Sequence, residues 1–374
     1  MNERISKRLE LFDSSVFRDV FTKQQALKDP IDLSVGSPED KTSDLIKQAG
    51  IKAILEDKTG YMPSNGLPEL RHAITNKLYK QNNIMLPAGQ VTVVPGLTTG
   101  LLLVYMAILN AGDELITIDP GYPPYDQLAR ALGVEVMSVV TLPSFQLNIP
   151  AIEASITDRT KAIVINSPNN PTGTVYPEED LRKIAEIADR NNIFVISDEI
   201  YEHFIYEGSH FSIGSIYPDT ISMYGFSKQY SMTGWRLGYI SGPSDVIDAI
   251  NELQQYAIFS SSSIAQHAAL EALHNPTTHL VDKYRKKRDL VVSRLNEVGV
   301  EVMGAEGAYY VFFKAPNNLT DLEFSEKLLE HNLILVPGRA FSSRHGYIRI
   351  SFGTDIETLQ KGLDVLCYVI SMLK

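Results

Sequence analysis

Ala162-Ile-Val-Ile-Asn-Ser-Pro-Asn-Asn-Pro-Thr-Gly-Thr174 changes character at its fifth residue. Ala162 to Ile165 is an unbroken apolar run, the pattern of a strand covered on both faces. From Asn166 on, two prolines, three asparagines and a glycine stop that strand. A helix pattern follows. Pro177-Glu-Glu-Asp-Leu181 opens it with proline first and acids in the first turn, where the helix dipole favours them. Leu181, Ile184, Ala185 and Ala188 then keep helical spacing. The next strand, Ile193-Phe-Val-Ile-Ser197, runs straight into Asp198, Glu199 and Tyr201. Strand, polar loop, amphipathic helix, strand is the rhythm of an α/β sheet. Such sheets place ligand groups at the carboxyl ends of their strands.

The rhythm extends both ways. Strands are expected at Val91–Val94, Glu114–Ile118, Val134–Val139, Lys161–Ile165, Ile193–Ser197, Ile221–Tyr224 and Leu237–Ser241. Beyond about Leu273 it changes to a long helix over Thr278–Val298. Strands at Val300–Val302, Tyr309–Phe313, Leu333–Val336 and Tyr347–Ser351 come next. A last helix starts at Thr354-Asp-Ile-Glu357, a capping-box arrangement. This second part reads as a smaller α+β unit.

Three further segments carry chemistry. In Gly225-Phe-Ser-Lys-Gln-Tyr-Ser-Met-Thr-Gly-Trp-Arg-Leu-Gly-Tyr239, Lys228 has hydroxyls beside it at Ser227 and Ser231, and Arg236 follows. A lysine that forms a Schiff base needs an anion-binding group nearby to anchor the molecule it holds. Solvated surface charges are the plain alternative. Val93-Val-Pro-Gly-Leu-Thr-Thr-Gly100 puts a glycine-bounded turn before the apolar helix that starts at Leu101, an arrangement that aims backbone N–H groups at an anion. Asp198 either caps the next helix or pairs with a cationic ring, and Asn170 offers an amide to a phenolic oxygen.

Asn-Pro-Thr-Gly at 170–173, Ser-Asp-Glu-Ile-Tyr at 197–201 and Ser-Lys-x5-Gly-Trp-Arg-x-Gly-Tyr at 227–239 occur in a fixed order, with 28 residues from Asn170 to Asp198 and 30 from Asp198 to Lys228. Together they resemble the class I/II aminotransferases, fold-type-I enzymes dependent on pyridoxal phosphate. The likeness runs from Ile31 to Gly353. It implies a large domain, 41–273, with a mostly parallel seven-stranded sheet between helices. It also implies a small α+β domain built from 1–40 and 274–374.

The same resemblance implies the roles. Lys228 holds pyridoxal 5′-phosphate as a Schiff base and shuttles the proton. Asp198 pairs with the ring nitrogen, while Asn170 and Tyr201 bond the phenolic oxygen. Leu97, Thr98, Ser227 and Arg236 take the phosphate, Tyr122 stacks on the ring, and Tyr61 reaches the partner subunit's phosphate. Gly36, Asn170 and Arg349 bind the substrate, whose carboxylate suits Arg349's planar fork. Gly225 stands where the family often has serine, which puts one phosphate contact in doubt. The implied enzyme is a homodimer with shared active sites. It moves an amino group from an L-amino acid to a 2-oxo acid, 2-oxoglutarate being the expected acceptor. No second arginine is marked for a side-chain carboxylate, so neutral, apolar or aromatic donors are favoured. Tyr309 and Tyr310 either line that pocket or pack in the core.

Composition excludes other classes. A net charge of −11 argues against nucleic acid, whose phosphates select basic faces. The one basic cluster, Lys283-Tyr-Arg-Lys-Lys-Arg288, is expected to be a solvated helix face. The single cysteine, Cys367, lies on an apolar stripe and suits a reducing compartment. No hydrophobic signal core opens the chain and no run reaches membrane-spanning length, so a cytoplasmic protein is expected. No metal motif appears; Glu199, Glu202 and His203 lack a ligand spacing. A β-eliminating C–S lyase shares the cofactor constellation and is the second enzyme reading. A transcription regulator with a retained domain of this kind would need a DNA-binding domain within the 30 residues before Ile31.

Overall fold

The computed structural model describes residues 6–8, 27–275 and 280–374, so the acidic and basic residues at the start of the chain and Thr278 lie largely outside it. Its strands are β1 (Ile31–Asp32), β2 (Val91–Val94), β3 (Glu114–Asp119), β4 (Glu135–Val140), β5 (Thr160–Asn166), β6 (Phe194–Asp198), β7 (Thr220–Gly225), β8 (Gly238–Ser241), β9 (Tyr310–Lys314), β10 (Leu333–Ile334), β11 (Val336–Pro337) and β12 (Tyr347–Ser351). Seven of them form one sheet in the order β2-β8-β7-β6-β5-β3-β4. Only β8 runs against its neighbours. Every strand expected between Val91 and Ser241 is present within a residue or so of its expected ends.

The apolar runs are continuous because both faces of the sheet are covered. Leu115, Val164, Ile196 and Ile221 face one core with the helices Leu97–Ile108 and Ser244–Ala257. Ile116, Ile163, Ile165 and Val195 face the other, where Leu181, Ile184, Ala185 and Ala188 of the helix Glu178–Asn191 meet them. The period-2 alternation of the strands divides the run between the two cores. Each such side chain contributes roughly 1.5–3 kcal/mol when fully buried.

A second body gathers around β9, β11 and β12, an antiparallel sheet, and the parallel pair β1–β10. Leu33 from the N-terminal segment shares its core with Tyr284, Phe313, Leu363 and Leu366. Cys367 is buried there, its thiol donating to the Arg294 carbonyl.

Four expectations need correction here. Val300–Val302 is not a strand. Val300 N–H reaches the Leu295 carbonyl (3.0 Å) and Gly299 N–H the Asn296 carbonyl (2.9 Å), so this segment closes the preceding helix around Gly299 at φ +69°. Leu333–Val336 is two short strands in two sheets. The last helix, Ile356–Met372, is capped by Asp355, whose carboxylate accepts from Thr358 N–H (2.9 Å), rather than by Thr354. The basic cluster is not a solvated face. Lys287 and Arg288 are buried, and Lys283 and Lys287 both reach Glu39. Tyr284 donates to Asp40 (3.0 Å) and Arg288 pairs with Glu207 (2.7 Å). The charges of this helix pin the N-terminal segment in place.

Candidate active site

The carboxyl ends of β5 and β6 lie side by side, with Asn166 opposite Asp198. Asn166 donates to the Asp198 backbone carbonyl (2.9 Å) and accepts from Asn170 N–H (2.9 Å). Asn169 accepts from both the amide and the hydroxyl of Thr172 (3.2 and 2.9 Å). The asparagines therefore build the loop that they end the strand with. Gly173, at φ +73°, has no room for a Cβ, which would fall 2.7 Å from the Tyr310 carbonyl. Through that gap the loop docks on the smaller body: Ala305 N–H meets the Thr172 carbonyl (3.1 Å) and Gly307 N–H the Gly173 carbonyl (2.7 Å).

Asp198 is buried, and one oxygen accepts from Tyr125 (2.7 Å), the other from Ile200 N–H (3.1 Å). Burial pushes its pKa up to about 6, against the pull of those two donors; Glu199 raises it and Lys228 lowers it. The Lys228 ammonium donates to the Gly36 carbonyl (2.7 Å) and lies 5.7 Å from the Tyr201 ring centroid. Burial, then the like charges of Arg349 and Arg236, bring its pKa down to about 8.

At the far side of Lys228 the helix Leu97–Ile108 begins at Gly96 with no side-chain cap, so its first N–H groups point outward. Gly96 sits at φ +87°, and a Cβ there would lie 2.5 Å from an Arg236 nitrogen. The absent side chain thus lets the guanidinium close against an open helix N-terminus, at Leu97 and Thr98. An exposed arginine over an uncapped helix start is an arrangement suited to a phosphate. With a depressed lysine and a buried carboxylate beside it, the residues fit pyridoxal 5′-phosphate. Thr98 and Tyr122 approach one another, with hydroxyls 3.4 Å apart. At Gly225, the position where serine was expected, a Cβ would meet Ile200 at 2.6 Å. Ser227 is half-buried beside Lys228.

Arg349, on β12, is buried. It donates to Asn170 Oδ1 (2.9 Å) and to the Ser34 carbonyl (2.6 Å), and its guanidinium lies 4.5 Å from the ring centroids of Tyr310 and Phe341. Its Nε has no partner, a buried donor unspent. Ser34 and Gly36 sit two residues apart on one strap, so Arg349 and Lys228 reach into the same space. Tyr201 shares a 2.8 Å hydrogen bond with Tyr310, and Tyr309 donates to the Gly36 carbonyl (3.3 Å). Tyr309 and Tyr310 are fully buried. Tyr61 stands apart at 88% exposure, its ring 4.6 Å from that of Phe259. Gly36 contributes its carbonyl to Lys228. Sequence reading missed Tyr125 and Ser34; Tyr125 lies three residues after Tyr122 in Asp119-Pro-Gly-Tyr-Pro-Pro-Tyr125, a signal within reach.

Behind Asp198 lies a buried charged network. Glu199 accepts from Ser197 (3.0 Å) and Ser212 (2.5 Å) and pairs with His210 (2.6 Å). Glu202 binds Lys77 and Asn82, and Asn82 also donates to Ser212 (2.9 Å). Ligand-type atoms of Glu199, Glu202 and His210 come within 4.8 Å of one another, but the cation bonded into the group is the Lys77 ammonium. Burial opposes a charged His210; the bond to Glu199 and the charges of Glu199 and Glu202 together outweigh it and raise the pKa. The network fixes the segment between Asp198 and Tyr201 to the helix Pro68–Asn82.

Comparison with known proteins agrees with this geometry. The chain matches the aminotransferase class I and II family over residues 28–366. It is 40% identical over 349 residues, 90% of each chain, to a probable aspartate/prephenate aminotransferase of Thermus aquaticus. It is 34% identical to aromatic-amino-acid aminotransferase 2 of Thermococcus litoralis, over 96% of each chain. A solved aspartate aminotransferase of Thermus thermophilus, a single mutant, superposes with a TM-score of 0.95 at 36% identity, covering 98% of this chain and 99% of the other.

Proposed function

Since the chain belongs to the class I and II aminotransferases, enzymes that use pyridoxal 5′-phosphate, we propose that it passes the amino group of an L-amino acid to 2-oxoglutarate in two half-reactions centred on Lys228. The observation that carries this reading is the strap Ser34–Gly36, whose carbonyls bring Arg349 and Lys228 to one space. When bound, the cofactor supplies an aldehyde that takes up the amino group and a ring that accepts the electrons of the broken Cα–H bond. Arg349 holds the α-carboxylate with its fork, and Asn170, already bonded to it, keeps that fork in place. Lys228 moves the proton. With a pKa of about 8, on the order of a tenth of its amine is neutral at pH 7, enough to act as a base. Asp198 would face the ring nitrogen as an anion, Tyr201 the phenolic oxygen, and Arg236 with the helix N-terminus the phosphate.

The proposed donors are neutral, apolar or aromatic amino acids. The cations acting on Lys228 are Arg349 and Arg236, which this reading assigns to the α-carboxylate and the phosphate; the second carboxylate of 2-oxoglutarate, like that of aspartate, would be met by a group outside this pair. Aspartate, named for several relatives, is the competing donor. The division into 41–273 and 1–40 with 274–374 is likewise proposed; the shared core of Leu33 with Tyr284 and Leu363 supports it. A cytoplasmic home fits the single buried cysteine.

A single-turnover assay tests the reaction. With an L-amino acid and no acceptor, the enzyme is expected to release one 2-oxo acid per subunit and stop; 2-oxoglutarate restarts it. Sustained ammonia release without an acceptor overturns the reading in favour of a C–S lyase. Phenylalanine or leucine should outpace aspartate in the same assay; the reverse order overturns the donor preference.

Two subunits are proposed to build each site. Tyr61 and Phe259 are exposed rings in contact, and Tyr256, three residues before Phe259, is exposed too, an unusual surface for a lone chain. Hybrids of Tyr61→Phe with Lys228→Ala subunits should regain one undamaged site and about half the wild-type activity. Hybrids no better than the Tyr61→Phe parent, or an active monomer in sedimentation, would show that Tyr61 does not act across an interface.

A further inference from the structure

Asp198 has two oxygens and three calls on them in this reading: a backbone amide, a phenol and the ring nitrogen of the cofactor. The phenol belongs to Tyr125, which is buried, on the helix Pro124–Ala131. Its hydroxyl donates to Asp198 across 2.7 Å. Nothing in the local sequence requires a hydroxyl there, since phenylalanine would fill the same core. The residue is held from both ends. Its N–H bonds the Tyr122 carbonyl (3.0 Å), and its own carbonyl accepts from the Tyr105 hydroxyl (3.0 Å). Tyr105 rides on the helix whose N-terminus forms the phosphate cradle. The edge of the Tyr125 ring meets Tyr122, centroids 5.5 Å apart at 81°. One side chain therefore touches the buried anion and the ring assigned to stack on the cofactor.

We infer that Tyr125 is a positioning residue for catalysis: its hydroxyl keeps Asp198 ionised and turned toward the ring nitrogen. The inference rests on the role given to Asp198 above. Other charged or titratable groups acting on the carboxylate are Glu199, which opposes ionisation, and Lys228, which favours it; Tyr105 lies within electrostatic range too. Among the side chains of the described residues, Tyr125 is the one that hydrogen-bonds it. Burial raises the Tyr125 pKa well above the usual phenol range, so the hydroxyl remains a donor at any working pH. A donor to the charged form lowers an acid's pKa. Without it, a carboxyl already pushed up to about 6 by burial moves into the range where half or more is neutral, and a neutral acid does not keep a ring nitrogen protonated.

The test uses the full chain with Tyr125→Phe, and with a fluorinated tyrosine at 125 as a stronger donor of nearly the same shape. The Asp198 titration is followed by infrared difference spectroscopy of the protonated carboxyl, assigned by its loss in Asp198→Asn. Tyr125→Phe should raise the midpoint by about one pH unit, a tenfold change in the anion equilibrium. The acid limb of the kcat profile should move up with it and the Kd for pyridoxal phosphate rise several-fold. The fluorinated variant should lower the midpoint. Unmoved midpoints in both variants, or shifts of the same sign, overturn the inference. A midpoint that moves while cofactor affinity and pH profile stay fixed overturns the role assigned to Asp198, and leaves the bond between the two residues intact.

Discussion

Lys228→Ala is expected to end turnover while the protein stays folded. Positioned proton transfer alone contributes about 10²- to 10⁴-fold, and Lys228 is also the proposed covalent anchor, so the loss should be at least about 10⁴-fold. Stability should change little. The folded chain holds this amine at a pKa of about 8 against an ordinary 10.5. The ammonium is therefore disfavoured in the fold below about pH 8, and that penalty fades as pH rises toward 10.5. Removing the amine at pH 7 lifts the penalty and offsets part of the packing lost with its stem. Thermal melts should place the variant within a few degrees of the wild type. Borohydride reduction of the loaded wild type, followed by peptide mapping, should find the cofactor on Lys228; any other lysine would sink the assignment.

Asp198→Asn should cripple the reaction and stabilise the cofactor-free fold at the same time. An asparagine keeps an acceptor for Ile200 N–H and a partner for Tyr125 but carries no charge. The reaction loses the anion that keeps the ring nitrogen protonated, and a fall of 10³-fold or more in the half-reaction rate is expected, beyond the roughly 1.5–3 kcal/mol of one charged hydrogen bond. The fold gains. An acid raised from 3.8 to about 6 by burial costs the folded state roughly 3 kcal/mol once ionised. That cost is absent below about pH 4, grows between 4 and 6, and is constant above. The variant should melt higher than wild type at pH 7.5, and the difference should vanish toward pH 4. Near-normal turnover would refute the role; a lower melting point at pH 7.5 would refute the burial argument.

What the sequence made legible follows from how local each cause is. β5 could be read because its run Ala162–Ile165 is apolar on both faces and its end is marked by residues that build the next loop themselves. Lys228, Asp198 and Asn170 sat in motifs and Arg349 was implied by the resemblance; the fold brings Lys228 and Arg349 to the Ser34–Gly36 strap, with Asn170 bonded to Arg349. The failures have distant causes. Lys287 and Arg288 look solvated until Glu39 and Glu207, far off in the chain, arrive to pair with them. Val300 has strand-like neighbours, but its N–H is already committed to the end of a helix. The hydroxyl of Tyr125 gains meaning only when β6 brings Asp198 to it. The carbonyl that Gly36 offers to Lys228 had no signal in the sequence either.

The strap that supplies those carbonyls has a consequence for affinity. The fork of Arg349 and the amine of Lys228 already hold partners within the chain, the carbonyls of Ser34 and Gly36, although the Arg349 Nε is left unpaired. An arriving carboxylate is thus one competitor in an exchange, and the affinity that is measured is the difference between two ligands, one of them tethered. A charged acceptor wins such a contest, being about twice as strong as a neutral one, but by less than the bare ion pair would suggest. Product leaves by the same exchange run backwards, with the tethered carbonyls as the displacing group at a concentration no dilution can lower.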